Sequence, residues 1–219
     1  MDTIVACATP FGHSGIAVIR LSGPLSLKII TALCRNESWT PRYATLRSIY
    51  QHDECIDQCL ILWMKAPKSF TGEDTVEISC HGNPIIVNQI IELCIINGAR
   101  LARAGECSRR AVQNKKLSLI QIESLSSLLT SKSISGVLLS QKGLSGSLDL
   151  AIGTIKNELL DFAAEIEARL DHPDGDLTYV DDQALGRTLN SMSVQLVEMA
   201  ENWAASKFKL YGATIVIVG

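Results

Sequence analysis

The sequence predicts an α+β domain over residues 1 to 117 followed by an all-α helical bundle domain, and three observations carry that expectation. Up to Leu117, short runs rich in β-branched residues alternate with polar positions and are separated by Gly, Pro and Asn breaks, as strands and turns require. Within that region residues 84 to 96 are apolar on nearly all sides and stop at Asn97-Gly98, as a helix buried against a sheet does. Beyond Leu117 apolar residues recur three and four apart, with no convincing strand before the last few residues.

Taken in order, residues 4 to 8 and 16 to 21 read as two strands around the turn Gly12-His13-Ser14-Gly15, and residues 26 to 34 as a short helix capped by Ser26. Residues 43 to 50 and 56 to 64 are two more strands joined across a polar corner. The Pro67-Lys68-Ser69 turn leads to a strand over 75 to 79, where alternation sets Val76 and Ile78 on one face and Thr75, Glu77 and Ser79 on the other. His81-Gly82-Asn83 is expected to break this strand, and Pro84 suits a first helical turn. Residues 101 to 104 return as a strand, so the sheet is expected to be largely antiparallel.

In the second half Ile122, Leu125 and Leu128 give a short stripe, and Ile152, Ile155, Leu159, Phe162 and Ile166 a longer one. Leu185, Leu189, Met192, Leu196, Met199 and Trp203 repeat the spacing. The segment from Asp171 to Asp176 carries Pro173 and Gly175, which stop a helix, so the two long stripes are expected to pack as an antiparallel pair. Residues 213 to 219 form an apolar strand that stops on Gly219, and a lone strand has nothing to pair with, so the chain reads as cut.

At 219 residues, 47% hydrophobic and 20% charged, the chain is expected to bury a proper core. A net charge of −3 gives no general electrostatic reason to bind nucleic acid, and Lys207 and Lys209 are too few for an RNA footprint. Seven cysteines form no C-x-x-C pair and mostly sit in apolar runs, which favours reduced, buried thiols in a cytoplasmic protein without zinc. No signal peptide or membrane span is expected.

Glu77 stands mid-strand on the face away from its apolar neighbours, where a carboxylate needs water or a donor-rich partner, and is a ligand candidate. Arg20 lies inside an apolar strand and needs an anion or carbonyls for its donors; an internal salt bridge comes first on spacing alone, a ligand second. Lys116, beside Asn114 and Lys115, reads on its own as a solvated surface residue. Glu106 and Arg109, three apart, read as a structural ion pair worth about a few tenths of a kcal/mol. His81 beside Cys80 invites a nucleophile or metal reading, but neighbours on a strand face opposite ways and no third ligand stands at a recognisable spacing. The acidic residues Asp171, Asp174, Asp176, Asp181 and Asp182 lack calcium-loop spacing and read as a solvated connection.

The stretch Ser69-Phe70-Thr71-Gly72-Glu73-Asp74-Thr75-Val76-Glu77, followed by His81-Gly82, closely resembles a signature of the MnmE (TrmE) family of tRNA-modification GTPases. Thr3-Ile4-Val5-Ala6 with Ala8-Thr9-Pro10, Gly15-Ile16-Ala17-Val18-Ile19-Arg20-Leu21-Ser22-Gly23, and Arg103-Ala104-Gly105-Glu106-Cys107-Ser108-Arg109-Arg110-Ala111 with Asn114-Lys115-Lys116-Leu117 look like three more of its segments, in order. The last departs from the family pattern at Ala104 for Pro, Cys107 for Phe, Lys115 for Gly and Ser118 for Asp. Asn83 stands for a second glycine after His81.

The resemblance implies a folate-binding and dimerisation domain over 1 to 117, the first part of a helical domain over 118 to 211, and the first strand of a Ras-like GTPase domain over 212 to 219. It implies that Arg20, Glu77 and Lys116 contact a tetrahydrofolate, 5,10-methylenetetrahydrofolate or 5-formyltetrahydrofolate, and that no residue here is a catalytic nucleophile or metal ligand. It further implies a homodimer, the flavin-dependent partner MnmG, tRNA as substrate, and GTP with Mg2+ and K+ only in the full-length protein. Gly219 matches the first glycine of the phosphate loop, so residues 1 to 219 alone are expected not to hydrolyse GTP. Two alternatives stay open: a stand-alone folate-dependent aminomethyltransferase, and a non-catalytic dimerisation module of a switch GTPase.

Overall fold

A computed structural model describes residues 2–35, 38–171, 181–211 and 216–217, with side chains described through residue 201 and at residues 216 and 217. It divides into two compact units, Met1–Leu117 and Ser118–Gly219.

The first unit is built on a six-stranded sheet. Its strands are β1 (Ile4–Cys7), β2 (Ser14–Ser22), β3 (Thr45–Gln51), β4 (Glu54–Met64), β5 (Thr75–Gly82) and β6 (Arg100–Leu101), with α1 (Ser26–Cys34), α2 (Pro84–Ile96) and α3 (Glu106–Gln113) inserted along the chain. The strand order is β3-β4-β5-β2-β1-β6, antiparallel throughout except where β6 runs parallel to β1. Alternation decides what each face carries. Ile19, Leu21, Val76, Ile78 and Ile61 all point to one face and are fully buried against Ile29 and Ile30 of α1 and Ile90 of α2. Each such side chain stabilises the fold by about 1.5–3 kcal/mol, so truncating Ile78 to Ala in mid-sheet costs about 2–5 kcal/mol. The opposite face carries Arg20, Glu77, Ser79 and Leu60.

Three local expectations change. Ser26 does not cap α1: its hydroxyl donates to Gly23 O, and the Thr3 hydroxyl accepts from Leu25 N–H instead. The central strand runs on through His81 and Gly82, and the break falls at Asn83, whose side chain accepts from Ile85 N–H and so caps α2 ahead of Pro84. Although α2 is apolar all round, only one side is buried, through Val87, Ile90, Leu93 and Cys94, while Ile85 and Ile96 are exposed.

The second unit contains α4 (Leu119–Thr130), α5 (Ile134–Leu144), α6 (Ser147–Asp171) and α7 (Asp182–Tyr211). Ser118 opens α4 with a capping box, accepting from Gln121 N–H while the Gln121 side chain accepts from Ser118 N–H. The helix α5 lies in a Ser- and Gly-rich stretch that periodicity leaves unassigned. Its Gly143 lets α4 approach, since a Cβ there would stand 2.1 Å from Ser124 Oγ. Of the two long stripes only Ile155 and Met192 are buried among the described side chains, and Leu159 and Leu196 are exposed, so these stripes are not closed by each other. An Arg169–Asp182 ion pair joins the ends of α6 and α7. Asp174, Asp176, the Trp203 side chain and most of the strand expected at 213–219 lie outside the described residues; Val216 and Ile217 are exposed and in no regular element.

Candidate functional site

The β2–β5 register sets Arg20 directly opposite Glu77. The Arg20 guanidinium donates from Nε and Nη2 to the same oxygen, Glu77 Oε1, at 2.9 and 2.6 Å. Both side chains are about three-quarters buried, at 23% and 24% exposure. Glu77 Oε2 has no hydrogen-bond partner among the described residues. The guanidinium also lies over the Phe70 ring, 5.1 Å from its centroid. Cys107, from the start of α3, closes in on the same guanidinium; burial pushes its thiol up and Arg20 offsets part of that rise.

Phe70 is placed by the turn ahead of β5, which is fastened from below. Thr71, Ser22 and Thr75 are buried and share hydroxyl contacts, and Ser22 Oγ donates to Glu73 Oε2 at 2.7 Å. Arg110, 4% exposed at its side chain, donates to both Glu73 oxygens, to Asp2 O and Oδ1, and to Glu106 Oε1. Glu106, 1% exposed at its side chain, also accepts from Arg100 at 2.6 and 2.8 Å and from Arg103 N–H at 2.8 Å. The Arg100 hydrogen bonds, above all, hold its carboxyl far below the ordinary carboxylate range. Glu106 therefore belongs to a buried network; Arg109, expected as its partner, reaches only to 3.8 Å and is exposed.

The network anchors α3, and α3 ends on a Schellman motif: Lys116 N–H donates to Ala111 O and Lys115 N–H to Val112 O, with Lys115 left-handed at φ 55°. That motif turns Lys116 back over Gly72. Asn114 Nδ2 donates to Thr71 O at 2.7 Å, tying the end of the helix to the same turn. Lys116 is exposed, and its ammonium has no hydrogen-bond or ion-pair partner among the described residues. Of the three residues singled out in the sequence, the fold brings Arg20 and Glu77 into contact and sets Lys116 on the neighbouring turn, reached through Phe70-Thr71-Gly72. Phe70, Cys107, Glu73 and Arg110 were missed as contributors; only the Phe beside Thr-Gly in the signature stretch gave any signal, as an aromatic near an expected ligand.

At the other end of β5, His81 Nδ1 lies 2.7 Å from Asp57 Oδ1, and His81 N–H donates to Oδ2 at 2.8 Å. Burial raises the Asp57 carboxyl, but its bonds from His81 and from Gln58 N–H outweigh this and hold it below its ordinary value. Cys80 is buried while His81 is exposed, so the two diverge as strand alternation requires. Burial pushes the thiols of Cys34 and Cys94 up to about 12 and that of Cys80 to about 11, which leaves them inert at neutral pH. Among the described residues no group of His, Cys, Asp and Glu has the arrangement of a metal site, and no helix is long and apolar enough to cross a membrane.

Fold and site define a class: an α+β sheet domain with a carboxylate–guanidinium pair on the face opposite its core helices, followed by an all-α unit. Sequence comparison places the chain within that class. Residues 3–116 match the family described as GTP-binding protein TrmE N-terminus, and residues 119–214 match the MnmE helical domain. The chain is 36% identical over its whole length to a tRNA modification GTPase MnmE of Legionella pneumophila (strain Corby), covering 49% of that protein. It is 36% identical to the like-named protein of Francisella tularensis subsp. holarctica (strain FTNF002-00 / FTA) and 35% to that of Francisella philomiragia, again over its whole length and 48% of theirs. It belongs to the MnmE family of tRNA modification GTPases, and it spans about half the length of the curated relatives it matches.

Proposed function

We propose that this chain is the folate-holding part of a cytoplasmic protein that modifies C5 of the wobble uridine of tRNA, and that a reduced folate binds on the sheet face carrying Arg20 and Glu77. The observation that carries this reading is the incomplete satisfaction of the pair: Glu77 Oε2, half-enclosed beside a guanidinium, accepts from no described protein group. That oxygen is open to solvent and is not among the buried unpartnered atoms, so it stands free to accept from a ligand, and a pterin edge carries N–H and amino donors that can take the place of water there. Phe70 offers an aromatic surface, and the unpaired Lys116 ammonium and the remaining Arg20 N–H groups suit the folate's carboxylates or ring acceptors. The residue types fit the ligand.

In this reading 5,10-methylenetetrahydrofolate or its 5-formyl relative supplies the one-carbon unit when bound. The chain itself contributes position: the Arg20–Glu77 pair fixes one end of the ligand, Lys116 another, and the sheet keeps water from one side. Leu46 and Leu60, exposed cross-strand neighbours beside Ser79, favour a second copy of the chain on this face and hence a homodimer. MnmG, tRNA and GTP with Mg2+ and K+ belong to the activity of the whole protein; with a net charge of −3 the chain has little electrostatic pull on RNA of its own.

Calorimetric titration with 5-formyltetrahydrofolate tests the reading. Saturable binding by the chain, lost in Glu77→Ala and in Arg20→Ala while the fold is kept, supports it. Absence of binding would favour a purely structural dimerisation module, and unaltered affinity in either variant removes that residue from the site.

A further inference from the structure

Gly72 stands where an added side chain would have to displace its neighbours. Its φ is +79°, and a Cβ built there would stand 2.9 Å from Lys116 Cγ, 3.3 Å from Lys116 Cδ and 3.0 Å from Asn114 Cβ. The contact falls on the middle of the lysine stem, not its free end, so anything larger than hydrogen forces the ammonium elsewhere. The same turn is held to the end of α3 by Asn114 Nδ2 on Thr71 O. Lys116 leaves that helix end through the Schellman bond from its own N–H to Ala111 O, which sets the direction of its stem. One residue further back, Phe70 carries the Arg20 guanidinium on its ring. The segment 70–72 is therefore one short ruler with Arg20 at one end and Lys116 at the other.

We propose that Gly72 is a positioning residue for ligand binding: by lacking a side chain, and with Asn114 holding the turn in register, it seats the Lys116 stem so that the ammonium serves the same ligand as Arg20 and Glu77. This rests on the folate reading above. It adds to it that the aim of Lys116, and not only its charge, is built into the turn.

The test is a double-mutant cycle in the 219-residue chain, read as affinity for 5-formyltetrahydrofolate at two salt concentrations. Gly72→Asn is the main variant, because Asn tolerates positive φ and so adds a Cβ with little backbone strain. Lys116→Ala is expected to weaken binding about tenfold, the size of one charge-assisted hydrogen bond, and to flatten its salt dependence. Gly72→Asn is expected to do the same with a melting temperature near that of the parent, and the double variant to bind no worse than Lys116→Ala alone. Equal losses that add in the double variant, or a Gly72→Asn variant that binds like the parent, overturn the inference and leave the folate reading standing. If Lys116→Ala itself binds like the parent, the assignment of Lys116 fails, and this inference with it. Should Gly72→Asn fail to fold, Asn114→Ala carries the same cycle: its loss is expected to vanish in the Lys116→Ala background, and a loss that persists there overturns the proposal.

Discussion

Arg20 spends two of its N–H groups on a single oxygen of Glu77 and leaves the other oxygen free of described protein donors. Guanidinium–carboxylate pairs are often bidentate, with both carboxylate oxygens engaged, whereas here one oxygen is left for another donor. The one-sided arrangement gives a first prediction. Glu77→Gln keeps most of the fold's stability, losing about 1 kcal/mol or less in urea denaturation, because the pair is partly solvated. Its affinity for 5-formyltetrahydrofolate is expected to fall about tenfold or more, since an amide accepts less strongly from a pterin edge. A large stability loss with unchanged affinity would make the pair structural.

The second prediction concerns Arg110, which faces Glu73, Glu106 and Asp2 from a buried position. Replacing it with Met leaves buried carboxylates short of a cation and should cost about 3–5 kcal/mol, seen as a lower urea midpoint at constant m-value. Arg109→Ala, which removes an exposed and distant partner of the same carboxylate, should stay within about 0.5 kcal/mol. Equal effects from the two variants would dissolve the distinction drawn between them.

A third prediction follows from Glu106. Its carboxyl is held far below its ordinary value of 4.5, so the unfolded chain takes up the proton first as pH falls. Its contribution is present in full above that value and fades as pH drops below it toward the folded value. Asp2 and Asp57, both lowered from 3.8, act with the same sign at slightly lower pH. Melting temperature should hold steady from neutral pH down to about 5 and decline below about 4.5, and the decline should be shallower in Glu106→Gln. A parallel decline in that variant would show that Glu106 does not set the acid limit.

Lys115 supplies a fourth. It stands at φ 55° in the C′ position of the Schellman motif, where the family pattern has Gly. Lys115→Gly removes the left-handed strain and should stabilise the chain by about 0.5–1 kcal/mol after the entropy of the added glycine is counted. The change should leave ligand affinity unaltered, because the motif's hydrogen bonds are backbone bonds. A fall in thermal stability would contradict the reading of this helix end.

Much of the architecture was legible because local rules sufficed for it. Period-two alternation is strong in 75 to 79 and 16 to 21, and Asn97-Gly98 ends α2 where the apolar run stops. The helix α5 was not legible, since Ser133, Ser135, Gly136, Ser140 and Gly143 dilute its apolar stripe, and Gly143 serves contact with Ser124 rather than helix propensity. Alternation put Glu77 on the face away from its apolar neighbours and Arg20 among the apolar residues of its own strand, but only the strand register makes these two residues, 57 apart in sequence, neighbours. The Arg110 network was beyond sequence reading for the same reason: Asp2 and Arg110 lie 108 residues apart, and the nearby Arg109 offered a simpler local partner for Glu106.

A crystal structure of the chain grown with 5-formyltetrahydrofolate tests the central claim most directly. The account predicts ordered ligand density on the sheet face, with Glu77 Oε2 accepting from it and Arg20 and Lys116 within hydrogen-bond reach. Ligand bound elsewhere, or a saturated crystal with Glu77 Oε2 still facing water, would contradict it.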